Sequence, residues 1–211
     1  MRVTIWGCRG SIPAPGPETV NYGGNTSSIE VLLDNGAVLV LDAGTGIRDL
    51  GAALQKRGTR RIHLLLTHLH LDHLEGLRFF APLFDERATI DVWGPRSPVQ
   101  SLRERIRRSF SPPLFPIDLD EMPARLAFHD MPKEPLTLEG ATLTSAPVMH
   151  PGPTVGSRIR ADGATLAYVP DHEPALTGDF AARTRDWISG ASLSGNADVL
   201  LHDAQFLEEE Y

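Results

Sequence analysis

The chain sets short apolar runs between loops dense in glycine, proline and polar residues, and the runs predict mostly strands. Arg2 to Trp6 reads as a first strand, followed by a long loop from Gly7 to Asn25. Ser28–Leu33 and Ala37–Leu41 are predicted strands joined by Asp34-Asn35-Gly36, a short hairpin connection with a residue type suited to positive φ. A helix is expected at Ile47–Arg57. The run Ile62–Leu66 is almost wholly apolar, as expected of a strand buried on both faces, and Thr67 opens a polar loop at its end. A turn at Leu71 should start a helix with Asp72 in its first turn. Thr89–Trp93 predicts a strand and Ser97–Ser109 a helix. Pro112–Pro135 is proline-rich and weakly patterned, expected to wrap the surface or rim a site. Regular structure resumes at Ala141, with a strand over Thr142–Met149. Arg158–Ala161 and Thr165–Val169 flank Asp162-Gly163, a strong hairpin signal. Asp179–Ser189 reads as a helix and Ala197–Leu201 as a last buried strand. Strand pairs recur roughly before and after residue 140, as two similar halves would give.

Chemistry gathers where these strands end. Only eight histidines occur in 211 residues, yet His68, His70 and His73 fall with Asp72 in the pattern His-x-His-x-Asp-His. Neutral imidazoles with a carboxylate suit zinc, or another first-row divalent ion, better than calcium or magnesium. His150 and Asp171 also follow predicted strands. Asp42 ends a third, and reads as a carboxylate that fixes the loop or braces a ligand rather than as a ligand. Asp42-Ala43-Gly44-Thr45-Gly46 opens a helix and can cradle phosphate, although it lacks the dinucleotide pattern and the Walker lysine. The first loop holds Gly-Cys-Arg-Gly-Ser and Tyr-Gly-Gly-Asn-Thr, with Arg9, Ser11 and Asn25, the makings of a loop that lines a site.

Composition narrows the partners. At 211 residues and 41% hydrophobic, the chain suits a single domain over residues 1–211, or two closely packed halves. The net charge of −7 argues against general attraction to nucleic acid or anionic lipid and leaves room for a small anionic substrate. Arg103, Arg105, Arg107 and Arg108 cluster on one predicted helix; interrupted by Glu104 and without interleaved aromatics, they read as a solvated face. The single Cys8 fits a reducing compartment. No secretory pattern or membrane-spanning run is present, so a soluble cytoplasmic protein is expected. Homodimerisation through Arg103–Pro116 is a further expectation.

The His68, His70, Asp72, His73 cluster, followed by His150 and then Asp171, closely resembles the metallo-β-lactamase-fold hydrolases. The opening Gly-Cys-Arg-Gly-Ser, Tyr-Gly-Gly-Asn-Thr, Asp-Ala-Gly-Thr-Gly, Pro-Asp-His-Glu-Pro and His-Asp-Ala-Gln resemble the branch that includes ribonuclease Z and cyclic-nucleotide phosphodiesterases. The resemblance covers almost the whole chain. It implies an α/β fold, a four-layer αββα sandwich, with a dinuclear Zn2+ site that Mn2+ or Fe2+ can also fill. Carried over by motif, His68, His70 and His150 hold one metal, Asp72 and His73 the other, and Asp171 bridges them. Such a pair lowers the pKa of a shared water, and the resulting hydroxide attacks a phosphorus or carbonyl centre. His68, His70, Asp72 and His73 are thus the expected catalytic set, with Asp72 also orienting the hydroxide. Branch members carry a Gly-His-Ser element and a further ligand histidine after His-Asp-Ala-Gln. This sequence ends at Tyr211 without them, which implies a C-terminally shortened form with an uncovered strand edge near Leu200. By the family pattern His202 is not that ligand but a buried strand-end residue beside the site; as a stand-in ligand it is the minority alternative, and His172 a weaker one. The expected activity is a zinc phosphodiesterase acting on a small nucleotide-like diester. The alternatives are hydrolysis of a lactone, thioester or β-lactam, and a metal-binding domain without activity.

Overall fold

The computed structural model of the protein describes residues 1–173 and 188–204. They fall in two compact units, Met1–Asp130 and the chain from Met131 onward.

The first unit is built on a six-stranded sheet of β1 (Arg2–Gly7), β2 (Ser28–Leu32), β3 (Val38–Leu41), β4 (Arg61–Leu65), β5 (Thr89–Gly94) and β6 (Arg125–Asp130), ordered as in the sequence. The first three strands pair antiparallel, and β3 through β6 are parallel. The central strands are buried on both faces, which is why they read as continuous apolar runs. One face, with Val38, Val40, Ile62, Leu64, Ile90 and Val92, packs on Ile47, Leu50 and Leu54 of α1 (Ile47–Arg57) and on Leu102 and Ile106 of α2 (Leu102–Arg107). Gly58 ends α1 in a left-handed conformation at φ 72°, where a side chain would be strained. Because Leu41 and Leu65 are in register, β3 and β4 finish side by side, and Asp42 N donates to Leu65 O at 3.0 Å. Asp42 and the segment from His68 to His73 therefore leave adjacent carboxyl ends of parallel strands, where α/β sheets place their sites.

The second unit has a five-stranded sheet of order β11-β10-β9-β8-β7, formed by β7 (Leu136–Leu138), β8 (Ala141–Pro147), β9 (Val155–Ala161), β10 (Ala164–Val169) and β11 (Val199–His202). All pairings are antiparallel except β10 with β11. Asp162 and Gly163 take φ of 53° and 74°, the conformation a tight hairpin between β9 and β10 requires. The short α3 (Ala191–Ser194) buries Leu193 against Val148 and Val169, and Arg158 of β9 holds its end by donating to Leu193 O and Gly195 O.

Several expectations need correction. No α-helix starts at Leu71; Leu71–His73 is a single 3-10 turn, because His73 O accepts from Ala43 N instead of continuing a helix. The helix expected at Ser97–Ser109 begins only at Leu102, because Ser101, in extended backbone, caps it by accepting from Glu104 N while its own N–H donates to the Glu104 carboxylate. Its arginines serve the unit's own acceptors: Arg103 pairs with Asp120, Arg107 with Asp118, Arg108 with Gln100 and Arg105 with Pro95 O. The 112–135 segment is not all irregular, for it contains β6, and β7 follows directly at Leu136. The last strand is not buried: Val199 and Leu200 are 45% and 46% exposed, as an edge strand paired only with β10 among the described residues allows. The helix expected at Asp179–Ser189 lies almost wholly outside the described residues. Among the described residues no helix is long and apolar enough to cross a membrane.

Candidate metal centre

In the first unit the centre begins with a buried carboxylate. Asp42 is fully buried and sits at φ 58°. It accepts hydrogen bonds from Thr67 N at 2.8 Å and from the Thr67 hydroxyl at 3.0 and 2.9 Å to its two oxygens. His73 Nδ1 lies 2.8 Å from Asp42 Oδ2. A carboxylate can only accept, so His73 Nδ1 carries the proton and Nε2 of the neutral ring carries the lone pair. The hydroxyl of Thr67 spends its proton on Asp42 and accepts from His68 Nδ1 at 3.1 Å, which fixes the same tautomer on His68. Two buried histidines are thus oriented through Nδ1 by oxygen partners, an arrangement in which Nε2 could serve a metal.

The other ligand candidates lie beside them. His68 is 4.5 Å from His70 and 4.3 Å from His73 between ring centroids. Asp72 Oδ2 is 3.7 Å from His73 Nε2. The donor atoms of His68 and His70 lie within 4.8 Å of each other, and so do those of Asp72 and His73. Neutral nitrogen donors with one carboxylate fit a first-row divalent ion.

Glycines let the motif approach β3. A Cβ on Gly44 would fall 2.2 Å from Asp72 O, and one on Gly76 would fall 2.0 Å from Gly44 O. The Asp42–Gly46 turn is therefore a packing seat for the ligand loop, a role visible only once the two segments are side by side. The first loop reaches the same place. Ser11 N donates to Asp72 Oδ2 at 2.8 Å, while Arg9 Nε turns back to Ile12 O. Asn25 closes the base of that loop, its main-chain oxygen accepting from Cys8 N and Arg9 N and its side-chain oxygen from Thr45. Sequence reasoning passed over Glu75, two residues beyond His73. Its carboxyl is pushed above the ordinary range by burial first and by Asp72 second, against the pull of Arg78.

In the second unit His150 follows β8 and Asp171 follows β10, with His150 Nε2 3.7 Å from Asp171 Oδ2. Asp171 sits at φ 47°. The next residue, His172, is anchored to the end of β11: its N–H donates to Asp203 Oδ2 at 3.3 Å, and its Nδ1 lies 2.8 Å from His202 Nε2. His202 Nδ1 donates in turn to Asp203 O at 2.8 Å. His202 is exposed, and both its ring nitrogens take part in this chain of contacts.

The model of the Beta-lactamase superfamily domain matches residues 38–211. The chain belongs to this family. Within the β-lactamase superfamily it is 30% identical over 178 residues to the Uncharacterized protein Rv1339 of Mycobacterium tuberculosis, a match covering 81% of this chain and 60% of that protein. It is 27% identical over 246 residues to the Ribonuclease Z of Haloarcula marismortui, covering 99% of this chain and 75% of the relative. Among solved structures it resembles Zn2+-bound PqqB from Methylobacterium extorquens with a TM-score of 0.60 and 26% identity, covering 97% of this chain and 71% of that one. The chain thus spans about 60% of the length of the first curated relative. The mixed α/β architecture with two sheets is the metallo-β-lactamase fold, and a fold of this kind with its His/Asp donors implies a divalent metal.

Proposed function

We propose that the protein is a metal-dependent phosphodiester hydrolase, a single metallo-β-lactamase-like domain over residues 1–211. By motif, His68, His70 and His150 would hold one ion, Asp72 and His73 would hold the other, and Asp171 would supply a carboxylate to them. The observation that carries the reading is the paired tautomer control at Asp42 and Thr67, which leaves Nε2 of His68 and His73 as donors. Zinc is favoured by this donor set and by the Zn2+-bound relative, with Mn2+ or Fe2+ as substitutes.

When bound, a pair of divalent cations activates water near neutral pH and offsets charge on phosphoryl oxygens. The chain's own residues do the rest. Asp42 keeps His73 in its donor tautomer, and Asp171, held by its left-handed backbone, supplies a carboxylate at the end of β10. The relation to ribonuclease Z favours a phosphodiester substrate, and the net charge of −7 favours a small nucleotide-like diester over a polymer drawn by long-range attraction.

The test is turnover of bis(p-nitrophenyl) phosphate and small cyclic or linear nucleotides by metal-loaded protein, with His68→Ala as control and elemental analysis alongside. About two ions per chain and metal-dependent diester cleavage are expected. Failure to bind metal, or cleavage only of nitrocefin or an acyl thioester, would overturn the reading.

A further inference from the structure

We propose that Ser11 is a positioning residue for the metal centre: its main-chain N–H fixes one oxygen of Asp72, so the first loop sets the affinity of the half-site formed by Asp72 and His73. The proposal rests on the reading of Asp72 as a ligand. A carboxylate turns about its Cβ–Cγ bond and can exchange its two oxygens. The Ser11 N–H, 2.8 Å away, singles out Oδ2 and holds it 3.7 Å from His73 Nε2, close enough for one ion to bridge the two.

The loop is built to deliver that N–H. Ser11 takes φ 67°, a conformation that a residue with a side chain adopts only where its surroundings impose it. The imposition is visible on both sides. Cys8 N and Arg9 N donate to Asn25 O at 3.1 and 3.0 Å, Ala14 N donates to Gly24 O at 3.0 Å, and Arg9 Nε closes the turn on Ile12 O at 3.2 Å. Gly24 must remain glycine, since a Cβ there would meet Ala14 O at 2.3 Å. Of the described non-glycine residues at positive φ, Ser11 shares this feature in the first unit with Asp42, the partner of His73, while Glu139, Asp162 and Asn196 lie in turns of the second unit.

Three substitutions separate the N–H from the side chain. Ser11→Ala removes only the hydroxyl, Ser11→Gly keeps the N–H and relaxes the backbone, and Ser11→Pro removes the donor but, with its ring holding φ at about −65°, also turns the backbone away from the observed 67°, so exchange of the Ser11 amide is measured beside it. Zinc affinity is measured by competition with a chromophoric chelator, and His73→Ala identifies the half-site concerned. The Ala and Gly variants should bind as the unaltered protein does, whereas the Pro variant should lose about tenfold or more at that half-site alone. Equal affinity in the Pro variant, or an equal loss in the Ala variant, would overturn the proposal. Amide hydrogen exchange separates loss of the N–H from loss of the loop: the Ser11 amide should be protected in the metal-free protein and lose protection in Asp72→Ala, and an unprotected Ser11 amide refutes the proposal whatever the Pro variant does. Unaltered protein that binds no zinc overturns the metal reading itself, whereas two bound ions with an indifferent Pro variant overturn this proposal alone.

Discussion

His73 Nδ1 lies 2.8 Å from Asp42 Oδ2 across 31 residues of sequence, and the carboxylate that receives it is fully buried. The same carboxylate satisfies Thr67 N and the Thr67 hydroxyl. Asp42→Ala should therefore act twice. It strands a main-chain N–H and an imidazole N–H in the core, at about 2 to 4 kcal/mol of stability in urea titrations of the metal-free protein. It also releases His73 from its donor tautomer, lowering zinc affinity by about 10- to 100-fold in chelator competition. Zinc affinity unchanged in a folded variant would remove Asp42 from the centre.

Gly76 seats the ligand loop on the end of β3. Its Cβ would stand 2.0 Å from Gly44 O, a main-chain atom that cannot swing away. Gly76→Ala should destabilise the protein by about 3 kcal/mol or more and abolish metal binding, because the loop carrying His68 to His73 must lift. Gly10→Ala is the control: nothing lies within 4 Å of its Cβ position, so its stability should stay within about 0.5 kcal/mol of the unaltered protein. Thermal melts and zinc stoichiometry of the pair decide the matter.

What the sequence revealed and what it concealed divide along one physical line. The apolar run at Ile62–Leu66, the Asp162-Gly163 turn and the spacing of His68, His70, Asp72 and His73 are local signals, and each marks a feature that local chemistry dictates. β6 escaped because Arg125–Asp130 follows a proline-rich stretch and has no clean alternation. It becomes a strand by pairing with β5, Val92 against Phe128, and by packing Leu126 and Phe128 on the core that includes α2. The helix expected at Leu71 failed for a similar reason, since the main-chain oxygen of His73 is taken by Ala43 from another strand end. The partners that complete the centre, Asp42 for His73 and Ser11 for Asp72, are 31 and 61 residues away, and no periodicity records such contacts.

The start of α2 is set by a reciprocal cap. Ser101 Oγ accepts from Glu104 N, and Glu104 Oε2 accepts from Ser101 N at 2.8 Å and from its hydroxyl at 2.7 Å. Ser101→Ala should cost about 1 kcal/mol in denaturant titrations, by releasing the helix that buries Leu102 and Ile106. The same bonds, the hydroxyl first and the N–H second, hold the Glu104 carboxyl below its ordinary value of 4.5. A depressed carboxyl contributes stability above its unfolded pKa and loses it as pH falls through the folded one. An NMR titration should find Glu104 moving back towards its ordinary value in Ser101→Ala, and an unmoved titration would deny the cap its role.

His172 gives the second unit a pH dependence of definite sign. Burial first, and the neighbouring His202 second, lower its pKa below the ordinary 6.5, against the opposing pull of the Ser189 main chain and Asp203. The folded chain therefore keeps the ring neutral where the unfolded chain would protonate it. Stability of the chelated, metal-free protein should be fullest above the unfolded value, decline as pH falls through it towards the depressed folded value, and level off below that. Urea midpoints at about pH 7.5 and about pH 5, compared between the unaltered protein and His172→Gln, isolate the effect. The variant should show the shallower change, because glutamine binds no proton over this range. It should also be less stable at the higher pH, where the contact with His202 Nε2 is lost or weakened. Parallel pH profiles in the two proteins would show that His172 binds its proton equally in the folded and unfolded chains.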